Sequence, residues 1–247
     1  MWRASAPDAA DVKRLRAVRE RLDLYPLVIH ANYLANLASV DPEIRAKSIT
    51  SFRGELERAA AIGADYLVLH PGNYKNQSLE EGIGAFVLGL AEAARSFESG
   101  GVTVLLENTV GSLNQIGSRF EELRTIRDRM ERESDLRLGY CLDTCHLLGA
   151  GFDVADEAGL ETTVAAARQT LGLDLVRVIH ANDSKGALGS RLDRHENIGK
   201  GRIGDEGFRR ILTHPALRDK PFILETPVED DDMARADIEA LQRLSRT

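Results

Sequence analysis

Residues 65–73, DYLVLHPGN, open with a short apolar run and place His70 directly before Pro71-Gly72. An apolar run of this length, bounded by a charged residue and by turn residues, is typical of a buried strand. Val and Leu without polar residues between them indicate a strand that is covered on both faces, as in a parallel sheet. His70 is therefore predicted to stand at the C-terminal end of a parallel strand.

Five other segments repeat this pattern, so the sequence predicts six strands. The six are residues 24–30, 65–70, 102–107, 138–143, 175–180 and 221–225. Amphipathic stretches rich in Ala, Glu and Arg are predicted to be helices, at residues 9–22, 42–61, 79–97, 118–130, 155–171 and 230–244. Asp41-Pro42 and Gly63 are suited to begin and end the helix at 42–61. Strands and helices in alternation indicate a parallel sheet with right-handed crossovers.

Each predicted strand ends in a residue that can bind a metal ion. In chain order these residues are His30, His70, Glu107, Asp143, His180 and Glu225, separated by 36 to 45 residues. In a (β/α) barrel the C-terminal ends of all strands converge on one rim, where the active site lies. A single His or Glu at a strand end is usually a cap or a surface residue. Six in a row favour a shared metal site instead.

Two shorter motifs add candidate ligands. CLDTCH places Asp143 and His146 three residues apart, and Asp193 and His195 form an Asp-x-His pair in the Gly-rich segment 186–204. Carboxylate oxygens and imidazole nitrogens are both good zinc donors. Cys141 and Cys145 are an alternative pair of zinc ligands, although the sequence has no second cysteine pair to complete such a site.

Five segments resemble the signature sequences of the endonuclease IV family, at the spacing of that family. They are LHPGN (69–73), LLENTVG (105–111), CLDTCHLLGAGFD (141–153), HANDSKGALGSRLDRHENIGKGRIG (180–204) and ILETP (223–227). The resemblance runs from about Trp2 to the C-terminal helix. It implies a zinc-dependent DNA repair endonuclease of the phage-T4-induced deoxyribonuclease IV type. The fold it implies is α/β, a TIM (β/α)8-type barrel of the xylose-isomerase-like kind.

The resemblance also implies three zinc ions, because all nine metal ligands of the family find a match. The first set is His30, His70 and Glu107; the second is Glu107, as a bridge, with Asp143, His180 and Glu225; the third is His146, Asp193 and His195. Glu107 is the implied catalytic residue. The implied reaction hydrolyses the phosphodiester 5′ to an abasic site and leaves a 3′-OH, and trimming of blocked 3′ ends is expected beside it.

Double-stranded DNA with abasic sites is the implied partner. By resemblance Tyr33 and Leu34 stand where the family inserts an aromatic wedge into DNA, whereas the residues alone would place Tyr33 in the core. Lys185 and Arg191 are suited to hold a phosphodiester, with solvated surface charge as the alternative. Asn182 is predicted either to orient a ligating imidazole or to contact phosphate, with the start of an Asx-type loop as the structural alternative.

Composition sets few limits on this interpretation. The 247 residues are 43% hydrophobic, and no apolar run reaches the roughly 18 residues of a membrane span. The charged N-terminus does not resemble a signal peptide, so we expect a cytoplasmic monomer with no membrane partner. The net charge of −7 argues against nucleic acid. Three bound divalent cations would bring this charge to about −1.

The sequence departs from the family in two places. Gly111-Ser112-Leu113 stands where the family usually has a Gly-Gln-Gly-like stretch. Only six strands are visible where a complete barrel has eight, so we predict one barrel domain, residues 1–247, that lacks the first two strands. Two alternatives stay open: a metal-dependent sugar isomerase or epimerase on the same barrel, and an impaired relic that binds abasic DNA without cutting it.

Overall fold

The computed structural model describes residues 5–98 and 100–246, and these residues form two compact units. The first unit contains the chain up to Leu106 together with Arg124–Gly139. The second contains Glu107–Leu123 and the chain from Tyr140 onward. Within these ranges, no helix combines the length and the apolar character that crossing a bilayer requires.

The first unit is built on three parallel strands and their helices. The strands are β1 (Val28–His30), β2 (Tyr66–Leu69) and β3 (Thr103–Glu107), and the helices are α1 (Ala9–Arg21), α2 (Pro42–Ile62) and α3 (Leu79–Ala93). The strand β2 pairs with β1 through Tyr66 and Val28 and with β3 through Tyr66 and Thr103. Phe52 and Phe86, from α2 and α3, are fully buried in this unit. The last residue of β3, Glu107, is the first residue of the second unit.

The ends of α2 and α3 follow the chemistry of their flanking residues. Asp41 Oδ1 accepts hydrogen bonds from the backbone N–H groups of Glu43 at 2.8 Å and Ile44 at 3.1 Å. Gly63 ends α2 in the left-handed conformation, with φ 74°. Ser78 and Glu81 form a capping box at the start of α3. The predicted ends of the helix at 42–61 are therefore confirmed to within one residue.

The second unit has its own three parallel strands. They are β4 (Leu138–Asp143), whose first two residues belong to the first unit, β5 (Val176–His180) and β8 (Phe222–Ile223). Asp143 is the register partner of His180, and His180 is the partner of Ile223. A short antiparallel pair, β6 (Asp183–Ser184) and β7 (His195–Glu196), lies between β5 and β8 in the chain.

The helices of this part of the chain are α4 (Phe120–Glu133), α5 (Thr144–Ala150), α6 (Glu157–Thr170), α7 (Gly204–Thr213) and α8 (Asp231–Leu244). Of these, α4 begins in the second unit and continues into the first. Tyr140, Phe120 and Phe208 are the largest fully buried side chains of the second unit, and the ring of Phe120 stacks on the half-buried ring of Phe152.

All six predicted strands are present, but some of their predicted bounds are wrong. The strand predicted at 24–30 begins only at Val28, because Leu24 and Tyr25 are more than half exposed and have no core to cover. The last strand ends at Ile223, so Glu225 lies two residues beyond it, and His70 directly follows β2.

The helix predictions also need correction. The helix predicted to reach residue 97 ends at Ala93, after which Ser96 takes a positive φ of 61°. The helices α5 and α7 were not predicted. The first has only 7 residues and the second only 10, and neither is long enough to show a clear period in the sequence.

Candidate metal centre

Glu107 stands at the centre of a buried cluster in the second unit. Its side chain has no exposed surface. Glu107 Oε1 lies 3.1 Å from His180 Nδ1 and 3.3 Å from His146 Nδ1. A carboxylate withdrawn from water is costly unless positive charge or hydrogen-bond donors compensate it. The end of β3 therefore carries an anionic group that is held between two imidazoles.

The four residues of the predicted second ligand set come together in the second unit. Ligand atoms of Glu107, Asp143, His180 and Glu225 all lie within 4.8 Å of one another. Asp143 and His180 are adjacent because they are register partners on β4 and β5. Glu225 reaches the group from the segment after β8, with Oε2 3.1 Å from His180 Nδ1. Three carboxylates and one imidazole suit a divalent cation such as zinc.

Local structure explains why Asp143 and His146 act together. Asp143 ends β4 and also caps α5, because its Oδ1 accepts a hydrogen bond from the backbone N–H of His146 at 2.7 Å. A cap of this kind fixes the first turn of the helix relative to the strand. The three-residue spacing therefore brings both side chains to the same end of the sheet.

The three residues of the predicted third ligand set also lie close together, although His146 and His195 are nearly fifty positions apart in the sequence. Asp193 Oδ1 lies 3.2 Å from His146 Nε2 and 3.6 Å from His195 Nε2, and the two imidazole ring centroids are 5.4 Å apart. His146 comes from α5, His195 from β7 and Asp193 from the segment between β6 and β7. His195 Nε2 is also 3.7 Å from Asp143 Oδ2, so the second and third sets adjoin.

In the first unit, His30 and His70 lie side by side. Their ring centroids are 5.2 Å apart, with the ring planes inclined by 48°. His30 is the last residue of β1 and His70 follows β2, so the parallel pairing of these strands explains why they meet. Both imidazoles of the predicted first set are thus neighbours. Their sharing of one cation stays a prediction.

The hydrogen bonding of the two ring nitrogens of His195 fits a metal ligand. Its Nδ1 lies 3.1 Å from the backbone carbonyl oxygen of Glu225, which favours the tautomer with the proton on Nδ1. Its Nε2 is buried and has no hydrogen-bond partner among the residues that the structure describes. An imidazole nitrogen with a free lone pair, aimed at two carboxylates, is the arrangement that a metal ion completes.

The electrostatics of the cluster agree with this fit. Burial lowers the pKa of His146, but the carboxylates of Asp143, Asp193 and Glu107 outweigh burial and raise that pKa well above its usual range. The excess of carboxylate oxygens thus draws positive charge into the site, either as protons on imidazole or as a divalent cation.

Both cysteines lie at the border of the cluster. Cys141 has its sulfur near Glu107 and His180, and Cys145 has its sulfur near Asp193 and His195. Burial raises the pKa of Cys141 to about 12 and that of Cys145 to about 11. Since the thiolate is the form that binds metal, this environment favours the oxygen and nitrogen donors over the two thiols.

Two buried asparagines orient Asp143. Asn182 Nδ2 donates to Asp143 Oδ2 at 2.5 Å, and its Oδ1 accepts from the backbone N–H of Glu225 at 2.8 Å. Asn182 has no exposed surface. It therefore orients a ligating carboxylate rather than the predicted imidazole, and it offers no exposed surface for the other predicted role, a contact with phosphate.

Asn108 was missed by the sequence analysis. Its Oδ1 accepts a hydrogen bond from the backbone N–H of Asp143 at 2.7 Å, and its own carbonyl oxygen lies 3.0 Å from His146 Nδ1. The available signal was its position directly after Glu107, at a strand end where an amide side chain needs a buried partner.

The other predicted DNA contacts are exposed. Tyr33 is 87% exposed and Leu34 37%, in the first unit just after β1, so the core interpretation of Tyr33 is wrong. Lys185 and Arg191 are exposed in the second unit, and Lys185 Nζ lies 3.9 Å from Glu196 Oε2. Leu113, in the segment that departs from the family, is 82% exposed.

The sequence is similar to a known protein family and to several of its members. A sequence model described as "Xylose isomerase-like TIM barrel" matches residues 2–244. The chain is 58% identical over 245 residues to a probable endonuclease 4 of Solibacter usitatus. This match covers 99% of our chain and 84% of the relative. It is 41% identical over 226 residues to a probable endonuclease 4 of Halothermothrix orenii, in a match that covers 92% of our chain and 80% of that relative.

Solved structures share the fold. Endonuclease IV from Thermus thermophilus superposes with a TM-score of 0.85 at 36% identity, covering 100% of this chain and 85% of that chain. D-psicose 3-epimerase from Clostridium cellulolyticum gives 0.68 at 17% identity, covering 97% and 84%, and so shares the fold alone. The predicted α/β fold of the xylose-isomerase-like barrel type is confirmed.

Proposed function

Since the chain belongs to the endonuclease IV family, we propose that it is a zinc-dependent endonuclease that cuts DNA 5′ to abasic sites. One observation carries the proposal: Glu107, Asp143, His180 and Glu225 converge in one cluster, in which the first three side chains are buried. A purely structural core has no need of three carboxylates within reach of one imidazole, because each buried charge costs free energy. The product would have a 3′-OH, and trimming of blocked 3′ ends would use the same centre.

Three zinc ions would be held by the residues described above. Glu107, Asp143, His180 and Glu225 surround one position, His146, Asp193 and His195 surround another, and His30 and His70 supply imidazoles for a third. Bound zinc supplies positive charge for the phosphate oxygens and lowers the pKa of water to about 7. Glu107 is buried, with Oε1 3.3 Å from His146 Nδ1 and 3.1 Å from His180 Nδ1, and is the residue that would act as the bridging ligand.

The protein's own side chains would orient the substrate. Tyr33 and Leu34 offer an exposed aromatic and an exposed aliphatic group that can enter a base stack. An abasic sugar is extruded at low cost because it has no base to unstack. Lys185 and Arg191 provide cationic groups for the phosphodiester on the side of the third ligand set. Asn182 and Asn108 hold Asp143 in place while substrate enters and product leaves.

The test is cleavage of a duplex with one synthetic abasic site, before and after prolonged chelation and after zinc is restored. We expect a single cut 5′ to the lesion, its loss on chelation and its recovery with zinc. Glu107→Gln should lower the rate at least about 100-fold. Glu57→Gln, an exposed residue of α2, is the matched control and should be unchanged.

Three outcomes would refute the proposal. Cleavage that survives complete removal of metal would exclude the metal mechanism. Full zinc occupancy with binding but no cleavage of abasic DNA would show an impaired relic. Epimerisation of a ketose with no cleavage of DNA would identify the sugar enzyme that shares this fold.

A further inference from the structure

The buried carboxylate of Asp237 lies in α8, outside every sequence motif that points to the metal centre. It is only 3% exposed. Asp237 Oδ2 accepts a hydrogen bond from Asn197 Nδ2 at 2.8 Å, and Oδ1 accepts one from the backbone N–H of Ile198 at 3.0 Å. Hydrogen bonds to an ionised acceptor are stronger than neutral ones, so this contact holds the segment after β7 firmly against α8.

Asn197 extends the contact to a second segment. Its Nδ2 also donates to the carbonyl oxygen of Pro227 at 3.1 Å. Both hydrogens of this amide group are therefore used, one on the carboxylate of α8 and one on the segment after β8. Asn197 is itself buried, with 6% of its surface exposed, so neither bond competes freely with water.

The two segments joined in this way each carry a candidate metal ligand. Asn197 comes two residues after His195, and Pro227 comes two residues after Glu225. His195 and Glu225 are in direct contact, with Nδ1 of the imidazole 3.1 Å from the carbonyl oxygen of Glu225. That contact sets the tautomer of His195 and the direction of its Nε2. A residue that fixes the spacing of the two segments therefore also fixes the orientation of the His195 imidazole.

We propose that Asp237 is a positioning residue for the cation held by His146, Asp193 and His195. It acts through Asn197, which sets the distance between the segments of His195 and Glu225. The inference rests on the proposed function, because it requires that this ligand set binds a cation. Partners that orient a ligand from outside the coordination sphere typically contribute about 10- to 100-fold in metal affinity, by general experience with such sites.

The fold should survive the loss of Asp237. The far end of the same segment is anchored independently by Asp183, whose carboxylate accepts the backbone N–H groups of Gly201, Ile203 and Gly204 at 2.9, 2.9 and 3.2 Å. Asp237→Asn keeps the shape of the side chain but turns one acceptor into a donor. In either orientation of the new amide, that donor faces Asn197 Nδ2 or the backbone N–H of Ile198, so one of the two bonds that hold the segment after β7 against α8 is lost.

The experiment titrates the metal-free full chain with Zn²⁺ and, separately, with Co²⁺, whose absorption spectrum reports its ligands. For Asp237→Asn we expect one cation to bind about 10- to 100-fold more weakly and the cobalt spectrum at saturation to change. His195→Ala marks which cation is concerned by losing it. Asp232→Asn, an exposed residue of the same helix, is the matched control and should behave as the unsubstituted chain.

The outcomes separate the two hypotheses. If Asp237→Asn keeps every affinity and the spectrum, and only its unfolding midpoint falls, the residue is merely structural and the inference is wrong. If His195→Ala also binds the full number of cations, the proposed metal site itself is wrong. Should Asp237→Asn fail to fold, Asn197→Ala cuts the same link from the other side and leaves the Ile198 contact intact. Unchanged binding in that variant would equally overturn the inference.

Discussion

Asn182 Nδ2 donates a 2.5 Å hydrogen bond to Asp143 Oδ2, and both side chains are completely buried. One oxygen of Asp143 is thereby occupied by an amide, while the other accepts the backbone N–H of His146. The direction of this carboxylate is therefore set before any cation arrives. Preorganisation of this kind lowers the entropic and reorganisation costs of metal binding.

The first prediction concerns this bond. Asn182→Asp places a second carboxylate against Asp143 and removes the donor, so we expect metal affinity and cleavage of abasic DNA to fall about 10- to 100-fold. Metal content after dialysis and the cleavage rate measure the two effects. Asn76→Asp, an exposed amide in a turn of the first unit, is the control. Equal metal content in the Asn182 variant and the unsubstituted chain would contradict the orienting role.

The second prediction concerns the exposed Tyr33. Tyr33→Ala should lower affinity for an abasic duplex about tenfold, since stacking of an aromatic ring on a base is worth roughly 1–3 kcal/mol. Tyr33→Phe should retain most of the affinity, because the ring remains. As the side chain is 87% exposed, neither substitution should alter the unfolding midpoint. A binding titration with intact and abasic duplexes measures the effect, and an alanine variant that binds abasic DNA normally would exclude a wedge at this position.

The third prediction concerns the thiols and pH. Burial raises the pKa of Cys141 to about 12 and that of Cys145 to about 11, against an ordinary value of 9.0. Between pH 9 and about 11, both thiols stay protonated in the folded chain, whereas the cysteine thiols of the unfolded chain ionise. Their contribution to stability is therefore complete below pH 9 and is lost as the pH rises from 9 towards 11–12.

Alkylation and unfolding together check this prediction. At pH 8 iodoacetamide should modify neither cysteine in the native protein and both in denaturant, because the buried thiols are neutral and shielded. The unfolding free energy of the metal-free chain should fall between pH 9 and 11, and by less in the Cys145→Ala variant. Rapid native alkylation at pH 8 would show that the thiols are accessible or ionised.

The fourth prediction concerns Asp41, which caps α2. Asp41→Ala leaves the N–H groups of Glu43 and Ile44 without their acceptor, so the protein should lose about 1 kcal/mol of stability. Asp41→Asn should keep most of that stability, because an amide oxygen caps almost as well. Chemical denaturation with both variants gives the measurement. If Asp41→Asn loses as much unfolding free energy as Asp41→Ala, the negative charge of Asp41 stabilises α2 rather than its capping hydrogen bonds.

The sequence could predict the strand ends because a parallel sheet brings one chemical type of residue to one edge. Within the second unit, residues as far apart as Glu107 and Glu225 were expected to meet and do so. Asp193 and His195 were also predicted, from a pair two residues apart. These predictions need only the repeat length and the resemblance to the family.

Hydrogen bonds between distant side chains were beyond such reasoning. Asn108 and Asp237 have no periodic neighbours that reveal their partners, and an acid in an amphipathic helix is usually solvated. The start of β1 was misplaced for a related reason: Leu24 and Tyr25 are apolar but exposed, and burial is a property of the assembled fold.

The pairing of β6 with β7 closes the base of a hairpin, where the backbone N–H of Lys185 donates to the carbonyl oxygen of Arg194 at 3.0 Å. Ala187, Leu188, Gly189 and Ser190 at its tip are exposed, while the neighbouring strands stay pinned. The backbone N–H groups of Gly189 and Arg191 tie the tip to α5 through the carbonyl oxygens of Leu148 and Gly149, both at 2.9 Å, so exposed side chains there can change without shifting His195. The surface beside Lys185 and Arg191 can therefore diverge between relatives while the ligand set that includes His195 keeps its geometry.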